Sequence, residues 1–337
     1  MIKVAIIGFG GIAQSVHLPA HLKLEQEGRS KLVAVCDVDS TRFEQGMEIN
    51  IGSSDVKLSD DVHRYTDWKE MLDKETVDMV DICVPTYLHA AIAKEVLNRG
   101  IHVLCEKPMS LSYEDSISMC ETAKATGKKL MIGQCLRFSN HYLFLKDAVK
   151  NNTFGRPVTG VFRRMSEPPV WGWNNWFMDY ERSRGCILDM HIHDIDFIRF
   201  MMGEPNAISC VTQDVYSGRD VAHSQLFYDD CSFLAIGDWS QEGLPFCCDF
   251  RVAFEKATVD FSGGKVTVYP RGGEAYEPEI EENDFYFSEI EFFLNMLEND
   301  AENVINQPES AALSVKLIDA LCASADKNGE KMPYSVE

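Results

Sequence analysis

The apolar run from Lys3 to Phe9 breaks into Gly8-Phe9-Gly10-Gly11-Ile12-Ala13, and this junction constrains the fold more than any other stretch of the chain. A strand apolar on both faces needs helices on both sides, which means a parallel sheet rather than a half-solvated antiparallel one. Gly8 allows a tight turn, Gly10 lets the backbone approach a pyrophosphate, and the small Ala13 permits close packing of helix on strand. The amides of the new helix N-terminus then face phosphates. Alone, the pattern also fits a plain strand-to-helix turn. A second apolar run, Lys31 to Cys36, ends in Asp37, which supplies an acceptor for ribose hydroxyls about 20 residues on. Together the two features predict a dinucleotide site. A carboxylate at 37 repels a 2′-phosphate and so favours NAD, while Arg42 nearby leaves NADP open.

The alternation continues with strands at Val77 to Val84, Ile101 to Cys105 and Lys129 to Gln134, and helices at Ala90 to Arg99 and Ser112 to Thr126. Such βαβ units build a doubly wound parallel sheet, whose ligands lie beyond the carboxyl ends of the strands. Pro85, Thr86 and His89 follow one strand end, Glu106-Lys107-Pro108 the next and Arg137 the last, so all are expected on the cofactor side. Pro108 suggests a rigid turn that aims Lys107, through a cis bond if one is present. His89 either caps its helix or reaches the cofactor.

From Arg156 the period changes to that of strands: Val158 to Met165, Ala207 to Tyr216, His223 to Tyr228, Phe233 to Ser240, Phe246 to Phe254 and Lys265 to Tyr269. Turn residues between them suggest a large antiparallel meander. Helices at Phe285 to Asn299 and Pro308 to Lys327 close the chain. The expected architecture is α/β, with a Rossmann domain over 1–134 and a second α/β domain with an open-faced sheet over 135–337. A broad sheet of this kind suggests a homo-oligomer, a dimer or tetramer, formed through its free face.

The 337 residues carry a net charge of −21, which removes nucleic-acid binding and polybasic membrane attachment from consideration. No segment approaches a membrane span or a signal sequence, and the eleven cysteines show no zinc spacing, so a cytoplasmic protein with reduced thiols is expected.

Gly185 to Gly203 reads as one helix, with a core stripe at Leu188, Ile192, Ile195, Ile198 and Met202. Asp189, His193 and Asp196 share a neighbouring face, and in isolation the first two read either as an ordinary helix-surface pair or as a base, His193, oriented by Asp189. His191 lies about 200° away from Asp189 at about 100° per residue, so no metal site is expected. Upstream, Trp171-Gly172-Trp173-Asn174-Asn175-Trp176-Phe177 reads either as a loop packed on the core or as the wall of a sugar pocket, with Trp176 as the aromatic face. Arg163 and Arg164 alternate on a strand, so at most one points into a cleft, and a solvated edge is the simpler expectation.

Taken together, the glycine motif, Asp37, the run Val80 to His89, Glu106-Lys107-Pro108 and Gly185 to Asp196 resemble the glucose–fructose oxidoreductase and inositol dehydrogenase family, Gfo/Idh/MocA, in the family's order. The resemblance implies NAD(P)-dependent redox chemistry on a sugar, cyclitol or related polyol. The family's catalytic lysine corresponds to Lys107 and its Asp and His to Asp189 and His193, which with Trp176 are also the expected substrate contacts. In that reading His193 takes the hydroxyl proton, Asp189 orients it and Lys107 stabilises the same oxygen. Two alternatives stand beside it: tightly held NAD used for transient oxidation during glycoside hydrolysis or epimerisation, and a noncatalytic NAD-sensing regulator. The chain departs from the pattern at Arg184-Gly185, where Gly-Gly is common, and at His191, where glycine is common and where a larger side chain is expected near the edge of the active face.

Overall fold

Ile2–Ile7 lies in the middle of a six-stranded sheet in the computed structural model, which describes residues 1–46, 48–49, 52–53 and 58–336. From edge to edge the strands are His63–Tyr65, Ser30–Cys36, Ile2–Ile7, Met79–Ile82, His102–Glu106 and Leu130–Gly133. All of the pairings are parallel. The strand order reverses at Ile2–Ile7, which creates a crevice beyond its carboxyl end. Val4, Ala5, Ile6 and Ile7 are buried, as a strand covered on both faces requires.

By contact the chain divides into two units, Met1–Cys135 with Asp284–Ala312, and Leu136–Asn283 with Leu313 onward. The division is therefore not a single cut near residue 134. The helix Phe285–Glu298, assigned from sequence to the second domain, packs on Leu18–Gln26 and Ile2–Ile7. It buries Ile290, Phe293 and Leu294 there, and Arg29 donates to Glu291 and Glu298 at 2.8 Å each.

The second unit holds an eight-stranded sheet in the order Lys265–Pro270, Ala257–Ser262, Cys247–Phe254, Pro157–Met165, Ser232–Asp238, Val221–Phe227, Ala207–Gln213 and Met332–Pro333. It is not the simple meander expected. Pro157–Met165, the first of these strands in the chain, inserts between two later ones and runs parallel to Ser232–Asp238. No described helix is long and apolar enough to cross a membrane, and none of the eleven cysteines is in a disulfide.

The single helix expected over Gly185 to Gly203 is two, Gly185–Asp189 and Ile192–Met202. The amides of Met190 and His191 both donate to the Cys186 carbonyl, and this shared acceptor marks the break. Two buried ion pairs hold the second helix. Arg164 donates to Asp194 through Nε at 2.9 Å and Nη2 at 3.1 Å, and Arg137 donates to Asp196 through Nε at 2.9 Å and Nη2 at 2.7 Å. The solvated edge expected for this arginine pair is not found, since their strand is interior to the sheet; Arg163 is solvated on a face of the sheet, where it pairs with Asp249, and Arg164 is buried.

The Arg184-Gly185 junction has a steric explanation. Both residues adopt left-handed backbone, at φ +60° and +67°. At 185 a Cβ would be driven into the Gly218 carbonyl oxygen, so only glycine fits. At 184 the arginine tolerates the conformation while donating to Asp319 at 2.5 Å.

Gly185→Ala should cost at least about 2 kcal/mol more than Gly127→Ala, a left-handed C-cap glycine with no described atom within 4 Å of its Cβ position, in denaturant unfolding; equal losses would refute the steric reading. Asp194→Leu alone should cost about 3–5 kcal/mol by stranding the Arg164 charge, and Asp194→Leu with Arg164→Met should recover most of it. The same unfolding measurement checks this, and a double variant as unstable as the single would contradict it.

Candidate functional site

The glycine turn separates two requirements. Gly8 sits at φ +91°, and a Cβ on it would lie 2.6 Å from the Cys83 carbonyl, so the turn closes against the neighbouring strand end. Around Gly10 no atom of the described residues other than its chain neighbours lies within 4 Å of where a Cβ would stand. That open backbone, leading through Gly11 and Ile12 into Ala13–His17 and then Leu18–Gln26, is the clearance a diphosphate needs. The Phe9 amide donates to Asp37 Oδ2 at 2.8 Å and the Asp39 amide to Asp37 Oδ1 at 2.9 Å. Each carboxylate oxygen keeps a lone pair for a ribose hydroxyl. Burial pushes the Asp37 carboxyl above its ordinary value, against the pull of those two amides. The Arg42 guanidinium is held by Asp39 at 3.4 Å. The residues present therefore fit a nicotinamide dinucleotide, with the adenosine ribose at Asp37.

Pro85 and Thr86 start the helix Thr86–Asn98 at the same edge of the sheet. His89 neither caps that helix nor offers a ring nitrogen to a cofactor. It is buried, with Nδ1 2.8 Å from the Pro108 carbonyl and Nε2 2.8 Å from the Val84 carbonyl, and burial pushes its imidazole down. It braces two loops against each other.

Lys107 follows the strand His102–Glu106, is half-buried and precedes a cis bond to Pro108. Glu106 was expected to face the cofactor, but its carboxylate turns inward. Oε2 accepts from the Lys107 amide at 3.0 Å and Oε1 from His17 Nε2 at 2.9 Å. His17 Nδ1 donates to Asp81 Oδ2 at 2.8 Å, and His21 Nε2 donates to the same oxygen at 2.8 Å. Burial alone would lower the His17 pKa, yet the Asp81 carboxylate holds it well above the ordinary value. Asp81, also fully enclosed, lies well below its own.

His17, Asp81 and Cys83 place ligand atoms within 4.8 Å of one another, close enough for a metal ion. An imidazolium donating from both nitrogens has no lone pair for one, so the group reads as an ion network. This network was missed from sequence. The available signals were two histidines four apart on the fingerprint helix and a charge inside the strand run Val80-Asp81-Ile82.

In the second unit Asp189 ends its helix, buried, and His193 opens the next, half-buried. Asp196, expected beside them, is committed to Arg137. Arg137 is correspondingly not a cofactor residue: it is 1% exposed and fixed to that carboxylate. His191 does not crowd an active face. It packs where Gly237 has no side chain and its Nε2 lies 2.8 Å from Ser224 Oγ, with burial pushing it down to about 3. Trp176 does not present a free face either. It is 8% exposed and stacked on Phe177 at 3.9 Å, whereas Trp173 is 37% exposed, beside left-handed Asn174 and Asn175.

Residues 2–134 match the GFO/IDH/MocA oxidoreductase family, NAD-binding Rossmann fold, and residues 142–258 match the GFO/IDH/MocA C-terminal domain. Among curated relatives, the myo-inositol 2-dehydrogenase of Thermotoga maritima is 33% identical over 204 residues, covering 60% of this chain and 55% of that protein. The 2,7-anhydro-N-acetylneuraminate hydratase of Mediterraneibacter gnavus is 28% identical over 234 residues, covering 69% and 56%. The chain thus spans little more than half the length of these relatives. A solved oxidoreductase from Agrobacterium radiobacter, in complex with NAD+, L-tartaric acid and magnesium, superposes with a TM-score of 0.80 at 18% identity, covering 98% of both chains, which shows a shared fold. With both domain matches in chain order and the glycine, Asp37 and Lys107 geometry in place, the chain belongs to the Gfo/Idh/MocA family of NAD-binding oxidoreductases.

Proposed function

We propose that this chain is an NAD(H)-dependent dehydrogenase acting on a CH–OH group of a sugar, cyclitol or related polyol. The observation that carries the reading is one edge of the first unit's sheet. The open turn at Gly10, the Asp37 carboxylate and the half-buried Lys107 all follow carboxyl ends of parallel strands. A dinucleotide bound there supplies a hydride acceptor or donor. The rest of the chemistry belongs to the chain.

An alcohol releases hydride only as its hydroxyl proton leaves, so a base and a cation are required. His193 takes the proton at a ring nitrogen, and Asp189, placed just before it in the chain, orients the ring and stabilises its cation. Lys107 donates to the substrate oxygen and stabilises the negative charge that develops on it. In the reductive direction His193 returns the proton and Lys107 polarises the carbonyl. Trp173, followed in the chain by Asn174 and Asn175, replaces Trp176 as the candidate sugar-facing group, because it is the more exposed of the two.

The hydratase among the relatives favours a second reading, in which NAD stays bound and a transient oxidation activates the substrate. Incubation of the protein with NAD+ and a panel of cyclitols, aldoses and glycosides, following NADH absorbance and product mass together, separates the two. NADH with an oxidised product supports the dehydrogenase, product without NADH supports the second reading, and neither overturns both.

Lys107→Met and His193→Asn should each lower kcat by ~10²-fold or more while leaving NAD+ affinity within about threefold. Near-normal turnover in either would remove that residue from the mechanism. Asp37→Ser removes the carboxylate that repels a 2′-phosphate, and should improve NADP+ binding relative to NAD+ by about tenfold or more in titration calorimetry. An unchanged ratio would mean that discrimination lies elsewhere.

A further inference from the structure

The ion network beneath the glycine turn has no assigned role, and its geometry ends on the residue that matters most to the reading above. The outer member is His21, whose Nε2 donates to Asp81 Oδ2. That same oxygen accepts from His17 Nδ1, and Asp81 Oδ1 lies 3.6 Å from the Cys83 thiol. His17 then donates through Nε2 to Glu106 Oε1, and Glu106 Oε2 accepts from the Lys107 amide. Apart from the thiol contact each link is a charge-assisted hydrogen bond, the last one joining a carboxylate to a backbone amide. His17, His21, Asp81 and Glu106 are all buried, so none of these groups trades its partner for water.

A carboxylate bonded only to the following residue's amide would be free to rotate about its own side-chain torsions. One clamped at its other oxygen is not. We propose that His17 is a positioning residue for Lys107, clamping Glu106 so that the Lys107 backbone, and with it the ammonium, is held in one place at the strand end.

This rests on the assignment of Lys107 under the proposed function. It also explains why a charged imidazole sits in Ala13–His17, the first turn after the glycine motif. The outer side of that turn has the clearance for a diphosphate, and its inner side holds the fixture for Lys107. Cofactor loop and catalytic lysine therefore share one rigid connection, and an uncharged side chain at 17 would sever it without touching either.

The test reads Lys107 directly. In His17→Gln, which keeps a polar side chain but loses the charge and the second donor nitrogen, amide hydrogen exchange at Lys107 should accelerate by about tenfold or more relative to Gly133 on the neighbouring strand, while NAD+ affinity stays within about threefold. Unchanged protection at Lys107 overturns the proposal. Should His17→Gln not fold, Asp81→Asn removes the anchor one link further out, and the same acceleration is expected and the same absence of it is fatal. Turnover supplies the second arm, on a substrate from the panel above. His17→Gln should lower kcat about tenfold with little change in KM, and in a Lys107→Met background it should cause no additional loss. An equal further loss there would mean that His17 acts on the fold at large and would overturn the proposal. A Lys107→Met enzyme with near-normal kcat would instead overturn the assignment of Lys107, and the exchange measurement would still decide whether His17 places it.

Discussion

The first unit is organised around a carboxylate that has nowhere to go. Asp81 lies in the middle of a buried parallel strand, between neighbours that are apolar, and an isolated charge there would cost several kcal/mol or more. It stays ionised because two imidazoles donate to it, and those imidazoles must come from the helix that the glycine turn launches. The turn therefore answers to two demands at once. It must present amides outward and histidines inward, and a helix displaced by one residue would satisfy neither.

The second unit solves a similar problem with arginine. Asp194 and Asp196 lie two apart on one helix and so point to different sides of it, and each is met by a buried guanidinium from a different element. Fork-shaped donors suit this task because each meets both carboxylate oxygens in one plane. The result is a helix fixed against rotation, with His193 one residue before the first of these pins. The left-handed junction at Arg184 and Gly185 and the fit of His191 over Gly237 likewise set where the chain enters that helix.

Sequence patterns made the sheets legible, since buried parallel strands and half-solvated strands write different periods into the chain. The glycine fingerprint, Asp37 and Lys107 could be placed because their spacing from strand ends is short and local. What stayed hidden were the partners of buried charges. Arg137 and Arg164 read as cofactor-facing and solvent-facing groups because nothing near them in the chain shows that Asp196 and Asp194, some 59 and 30 residues away, wait inside. Glu106 was misjudged for the same reason, its partner His17 being 89 residues distant. Trp176 and Trp173 differ by one helical turn in sequence but not in type, and only packing on Phe177 tells which ring is spoken for. Helix Phe285–Glu298 returns to the first unit because its apolar stripe finds a partner there, a matter of topology that a stripe alone does not encode.

The contrast between Gly8 and Gly10 has a consequence for how the chain can be altered. At position 8 a methyl group collides with the protein's own backbone; at position 10 it meets no atom of the described residues beyond its chain neighbours within 4 Å. Glycine at 10 is thus not demanded by the packing of the described residues. A substitution at 10 therefore tests binding apart from folding, whereas one at 8 disturbs both at once.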